Sequence, residues 1–114
     1  MTILDILQYV ALGLTVVTGL FALVWPRKTL NFTGLLNPNA RGITEIRAVL
    51  GGGFIALGLA PAVLGAQAAY QMLGLTYLGI GLARVVGLAL DRSFERSNWI
   101  SLAVEFILGI LLLL

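Results

Sequence analysis

Four ionisable residues stand where the chain is otherwise apolar. Glu45 and Arg47 open the stretch 41–58, RGITEIRAVLGGGFIALG, and no further charge follows until Arg84; beyond Arg96 the one remaining charge is Glu105. Carboxylates and guanidiniums in such surroundings have three uses. They lock helices together as an internal ion pair, they hold an anionic or amphiphilic ligand, or they relay protons. Catalysis is the least favoured use, because no nucleophile elbow, phosphate loop or metal motif accompanies them. The chain contains no cysteine and no histidine, which removes thiol chemistry, imidazole bases and the usual zinc, haem and iron–sulfur ligands. No catalytic residue, metal site or cofactor is therefore expected, and a membrane enzyme acting on lipid stays open as the least favoured reading.

The elements that must position these charges are set by composition. Of 114 residues, 60% are hydrophobic and 11% are charged, against about 25% charged in a soluble domain. An integral membrane protein is expected, as one domain spanning residues 1–114. The net charge of +2 is too small for a nucleic-acid footprint. Four apolar segments, about 3–25, 43–64, 68–90 and 97–114, are each long enough or nearly so to cross a bilayer core of about 30 Å. They predict an all-α fold, a membrane four-helix bundle running up-down-up-down.

The start, MTILDILQYV, has no basic residue before its apolar run, so the first segment is expected to be a retained helix rather than a cleaved signal. Thr2 and Asp5 have capping-box spacing. Trp25-Pro26-Arg27-Lys28 is expected to end the first helix with an interfacial aromatic, a breaker and two cations. Residues 27–42 form the one sizeable predicted loop, with a turn at Asn37-Pro38-Asn39 and with Leu30, Phe32, Leu35 and Leu36 on the bilayer surface. Asn31-Phe32-Thr33 matches a glycosylation sequon, irrelevant in a cytoplasmic loop. Pro61 is expected to kink the second helix, Ser97 to cap the fourth. Tyr9, Tyr70, Gln8, Gln67 and Gln71 gather at the outer end as interfacial anchors.

Lipid provides no hydrophobic drive between helices, so small residues four apart mark candidate packing faces. On the second helix these are Ala48, Gly52, Ala56 and Ala60; on the third, Gly79, Ala83 and Gly87; on the first, Ala11, Thr15 and Gly19. On the fourth they are Ser101, Glu105 and Gly109, which turns Glu105 inward. Arg84 precedes Asp91 by seven residues and Glu105 follows Ser97 by eight, placing both roughly 10–12 Å inside the same boundary at about 1.5 Å per residue. One polar cluster is expected: Glu45, Arg47, Arg84 and Glu105, with Asp91 at its mouth and Tyr77 on the face shared by Arg84 and Asp91.

TEIRAVLGGGFIALGL, then GLARVVGLALDRS, then an apolar helix with one glutamate, resembles an uncharacterised bacterial family of small four-helix membrane proteins. That family is a domain of unknown function, loosely DoxX-like. The resemblance is carried by Glu45, Arg47, Gly51, Gly52, Arg84, Asp91 and Glu105, and it covers about residues 42–105. A tyrosine of the pattern, just before the glycine pair, is Leu50 here. The resemblance implies the fold and the charged positions and no reaction.

The expected function is that of an accessory or interaction subunit, or of a binder of an amphiphilic ligand such as a lipid headgroup or quinone-like molecule, through the Arg/Glu cluster near the cytoplasmic side. The alternative is an oligomeric carrier or channel for small solutes or ions. Membrane lipids, other membrane subunits or a second copy are the expected partners, nucleic acid is not, and the bacterial inner membrane is the expected location. Arg27, Lys28, Arg41, Arg92 and Arg96 fall in the first and third loops, and none of the lysines or arginines in the second loop or near either end. The positive-inside rule then puts residues 26–42 and 91–98 in the cytoplasm and both termini outside. Cysteines introduced at Thr2 and Asn37 are expected to react with impermeant reagents from opposite sides; labelling of both from outside would reject this topology.

Overall fold

The structure, a computed structural model, describes residues 1–35 and 39–114. Among these residues the fold is helical and contains no strand. Five helices follow one another: α1 (Ile3–Val24), α2 (Pro26–Thr33), α3 (Ala40–Leu64), α4 (Gln67–Asp91) and α5 (Arg96–Leu113). All but α2 are long and apolar enough to cross a membrane. The chain forms two compact units, one of Met1–Ala11 with Ala66–Leu114, the other of Leu12–Gly65.

The start of α1 is closed by a reciprocal pair. The Thr2 amide donates to Asp5 Oδ2 at 3.0 Å, and the Asp5 amide donates to Thr2 Oγ1 at 3.1 Å, satisfying donors that a helix start otherwise leaves open. The predicted loop after α1 holds a helix instead. Pro26 does not stop the chain; it sits at the first position of α2, where its missing N–H costs nothing and its fixed φ suits the helix. Gly34, at φ 78°, ends α2 in the left-handed conformation, its amide donating to Leu30 O. Asn39 then caps α3 by accepting from the Gly42 amide at 2.9 Å. Leu36, Asn37 and Pro38, which belong to the predicted turn, lie outside the described residues. At α5 the cap position is Glu95, and Ser97, the expected cap, falls inside the helix.

In the Leu12–Gly65 unit, α1 and α3 meet backbone to backbone. A Cβ on Gly19 would stand 2.6 Å from the Gly51 carbonyl oxygen, and one on Gly58 would stand 2.9 Å from that of Leu12. A Cβ on Gly51 would in turn lie 3.1 Å from the Leu23 backbone. The face of α1 that carries these contacts includes buried Leu12, Thr15, Gly19 and Ala22, in line with the Ala11–Thr15–Gly19 ladder.

The ladder expected on the second helix is not the packed face. Ala48, Gly52 and Ala56 are exposed and Ala60 is half-buried, while Ile46, Gly51, Gly58 and Pro61 are buried. The physical cause is a π-helical segment over Ile46–Gly53. Its i→i+5 bonding adds about one residue to each turn, so Ile46 and Gly51, five apart, share a face. Positions four apart drift off it.

In the other unit α4 and α5 pack along their length in opposite directions. A Cβ on Gly74 would lie 2.8 Å from Gly109 O, one on Gly109 3.0 Å from Gly74 O, and one on Gly81 3.4 Å from the Phe106 ring. Leu73, Gly74, Tyr77, Gly81 and Leu88 are the buried residues of α4. The expected Gly79–Ala83–Gly87 ladder lies aside from them: Gly79 and Ala83 are exposed, Gly87 half-buried. Arg84 decides the rotation, because the face that hides its charge contains Tyr77 and Gly81 and excludes Gly79.

Replacing Gly58 or Gly74 by leucine is expected to lower stability by about 1–3 kcal/mol or more through overpacking. Gly52→Leu and Gly79→Leu are expected to be near neutral, because no neighbouring helix crowds either position. Reversible unfolding in mixed micelles measures the difference; equal losses at all four sites would contradict the helix rotations described.

Candidate functional site

A bidentate ion pair joins α4 to α5. Arg84 Nε donates to Glu105 Oε1 and Nη2 to Glu105 Oε2, each at 2.7 Å. This is the side-on fork in which planar guanidinium and carboxylate match in shape as well as charge. Nη1 of Arg84 donates to Asn98 Oδ1 at 2.9 Å. Asn98 completes its own bonding by donating from Nδ2 to Ser93 O and Ser93 Oγ, at 3.0 and 2.8 Å. The Ser93 hydroxyl donates to Glu95 Oε2 at 2.7 Å, and that hydrogen bond holds the exposed Glu95 carboxyl below its ordinary pKa. Glu105 is buried and the Arg84 side chain is 29% exposed. No buried polar side-chain atom among the described residues lacks a partner.

Local sequence explains the arrangement. Asn98 precedes Glu105 by seven residues, so both lie on one face of α5. Ser93 sits just past Arg92, whose left-handed φ of 49° closes α4 and turns the chain back. Asn98, Ser93 and Glu95 were not among the expected site residues, although the seven-residue spacing was a usable signal for Asn98.

The remaining members of the expected cluster have other roles. Glu45 pairs with Arg41 at 3.1 Å on an exposed surface, an interaction worth about 0.5 kcal/mol. Arg47 Nη1 donates to the Leu23 carbonyl at 2.6 Å, satisfying one of the last carbonyls of α1, which have no partner within that helix. Both residues belong to the Leu12–Gly65 unit. Asp91 is exposed, and among the described residues its carboxylate accepts no hydrogen bond. Tyr77 is buried on the same face of α4 as Arg84.

A pocket of about 350 Å³ lies at the opposite end of the Arg84 unit. Its walls are Leu4, Asp5, Gln8 and Tyr9 from the first turns of α1, Gln67 and Tyr70 from the start of α4, and Leu114. Gln8 Nε2 donates to Leu111 O at 3.1 Å, tying α1 to α5. The Tyr9 and Tyr70 side chains lie close enough to interact. Four of the five residues expected as interfacial anchors thus line one cavity; Gln71 is half-buried and does not line it. Asp5 both caps α1 and faces the cavity. Tyr70 and Arg84 are fourteen residues apart on one helix, roughly 21 Å at about 1.5 Å per residue. Among the described residues no group of three Asp, Glu, His or Cys side chains is placed to hold a metal ion.

The family described as a domain of unknown function, DUF4345, matches residues 3–114. The chain belongs to that family. No curated protein and no solved structure matches it. In this DUF4345 chain the Arg84–Glu105 fork is the feature whose loss has the most predictable cost. Glu105→Ala is expected to lower stability by about 3–5 kcal/mol, since an uncompensated charge is left on the packed face. The double change Arg84→Leu with Glu105→Leu is expected to recover most of that loss. Unfolding in micelles checks both, and a wild-type-like Glu105→Ala protein would show that the fork carries no stability.

Proposed function

We propose that the chain is a non-catalytic membrane protein that binds an amphiphilic molecule of the bilayer. The observation that carries this reading is the polar pocket at the ends of α1 and α4, a volume at the lower end of the about 300–1,000 Å³ usual for small-molecule sites. Apolar helices run away from it, so a polar head would sit among Asp5, Gln8, Tyr9 and Tyr70 while an acyl or isoprenoid part lies along apolar helix surface. The Arg84–Glu105 fork then serves as a brace. Its charges neutralise each other, which leaves little pull for an anionic ligand there. A carrier needs a titratable group free to cycle, and Glu105 is held by two bonds from Arg84.

In this reading the four spans form one up-down-up-down bundle, a single domain with both termini outside, in the bacterial inner membrane. The meeting of the α1 start, the α4 start and the α5 end around one pocket supports that arrangement. A second reading, an accessory subunit docked on other transmembrane helices, is favoured by the small residues Ala48, Gly52, Gly79 and Ala83 on exposed helix faces. Native mass spectrometry from a mild maltoside detergent separates the two. Retained lipid or another amphiphile on the isolated chain is the expected outcome. A bare chain in stoichiometric complex with a second polypeptide would favour the accessory role and reject the first.

A further inference from the structure

We propose that the end pocket is a site for an alkylammonium group, either the head of a zwitterionic phospholipid or a free small organic cation. The proposal rests on the amphiphile-binding reading for its bilayer source and on the pocket chemistry for its specificity. Asp5 is the one charged side chain in the lining, and no lysine or arginine contributes to the walls. The neutral groups are two tyrosines and two glutamine amides. Gln8 spends one of the two N–H groups of its Nε2 on Leu111 O and keeps its carbonyl oxygen as an acceptor. Asp5 Oδ2 accepts from the Thr2 amide, and no hydrogen bond among the described residues goes to Oδ1. Among its side chains the lining therefore carries one negative charge and no positive one, offers oxygens that can accept hydrogen bonds, and includes two tyrosine rings.

That combination selects a cation. An ammonium head is attracted to the electron-rich face of a tyrosine within about 6 Å. A carboxylate supplies the full counter-charge. The helix ends nearby do not reverse the sign. The starts of α1 and α4 each bring at most about half a positive charge, and the end of α5 brings about half a negative one. The α1 start is also already occupied by the Thr2–Asp5 pair. The Met1 ammonium lies near enough to act on Asp5 but is not part of the lining, so among the side chains that line the pocket Asp5 alone sets the sign. An anionic headgroup would meet Asp5 with no cationic side chain to hold it.

The location agrees with the chemistry. All the polar lining comes from the first turns of helices long enough to span a bilayer, the depth at which lipid headgroups lie. Tyrosine is suited to that depth because its ring is apolar and its hydroxyl wet.

The test uses the full chain in a maltoside detergent that carries no ammonium group. In one arm the chain is exchanged with phosphatidylethanolamine, phosphatidylcholine and phosphatidylglycerol of matched acyl chains, and lipid retention is read by native mass spectrometry. In the other, tetramethylammonium chloride is titrated against sodium chloride and the melting temperature is followed. Asp5→Asn keeps an oxygen that accepts the Thr2 amide, so the helix start survives while the charge is lost; Tyr70→Leu removes one ring. The expected result is preference for the ammonium-bearing lipids over phosphatidylglycerol, a melting shift with tetramethylammonium alone, and retention weakened about tenfold by each variant, a loss of roughly 1.4 kcal/mol. Tyr70→Phe, which keeps the ring, is expected to bind within a few-fold of wild type.

The failures are distinguishable. Lipid retained without headgroup preference, or unaffected by Asp5→Asn, overturns the ammonium site and leaves the amphiphile reading standing. A tetramethylammonium shift sensitive to Asp5→Asn, with no lipid of any class retained, upholds the site and overturns the bilayer source. Absence of both effects overturns both proposals.

Discussion

A guanidinium on an apolar helix cannot be left alone, and much of the α4–α5 pair follows from that constraint. Arg84 must face Glu105, which fixes the rotation of α4 and the level at which α5 passes it. Once that face is chosen, Gly74 and Gly81 are the residues turned toward α5, and the close approach near Gly109 becomes available. Asn98 and Ser93 extend the hydrogen bonding around the arginine, and among the described residues no buried polar side-chain atom lacks a partner. The fork alone need not stabilise the fold relative to an apolar pair of equal volume. Its clearest effect is on which face and which level are permitted.

The α1–α3 pair meets the same problem by other means. It has no buried ion pair, and its contact is made by glycines that let carbonyls and amides of opposing helices approach directly. Its arginine, Arg47, reaches a backbone carbonyl rather than a carboxylate, ending α1 where the helix has no partners of its own. One pair is keyed by charge and the other by backbone proximity. Both depend on residues that a side-chain volume count would rank as the least important.

Much of this was legible in residue order, and the rest was hidden for identifiable reasons. Apolar run lengths located four spans because crossing a bilayer imposes a length. Arg84 and Glu105 could be matched because both are costly alone and lie at one depth. The capping pair Thr2–Asp5 was readable because its interaction is local. The outward placement of Ala48, Gly52 and Ala56 was not, since small residues every fourth position mark a face only on an α-helix, and the π segment over Ile46–Gly53 breaks that count. The α2 helix was missed although Pro26 and Gly34 bracket it as start and stop. Tyr9, Tyr70, Gln8 and Gln67 were grouped at one end of the helices, and all four line one cavity, but a cavity depends on the distances between helix ends, which no local pattern encodes.

The short connection between α4 and α5 has a consequence for how the protein reaches its membrane. Either helix entering lipid by itself would carry an unpaired charge, at a cost of about 2.5–3.5 kcal/mol near the bilayer centre on insertion scales. The chain reverses within residues 92–95, so the two segments emerge from the ribosome in quick succession and already hold each other's counter-ion. Pairing inside the protein-conducting channel would present lipid with a neutral hairpin instead of two charged rods. The bidentate fork would thus act during assembly as well as in the folded pair, keeping the hairpin neutral before the rest of the molecule is in place.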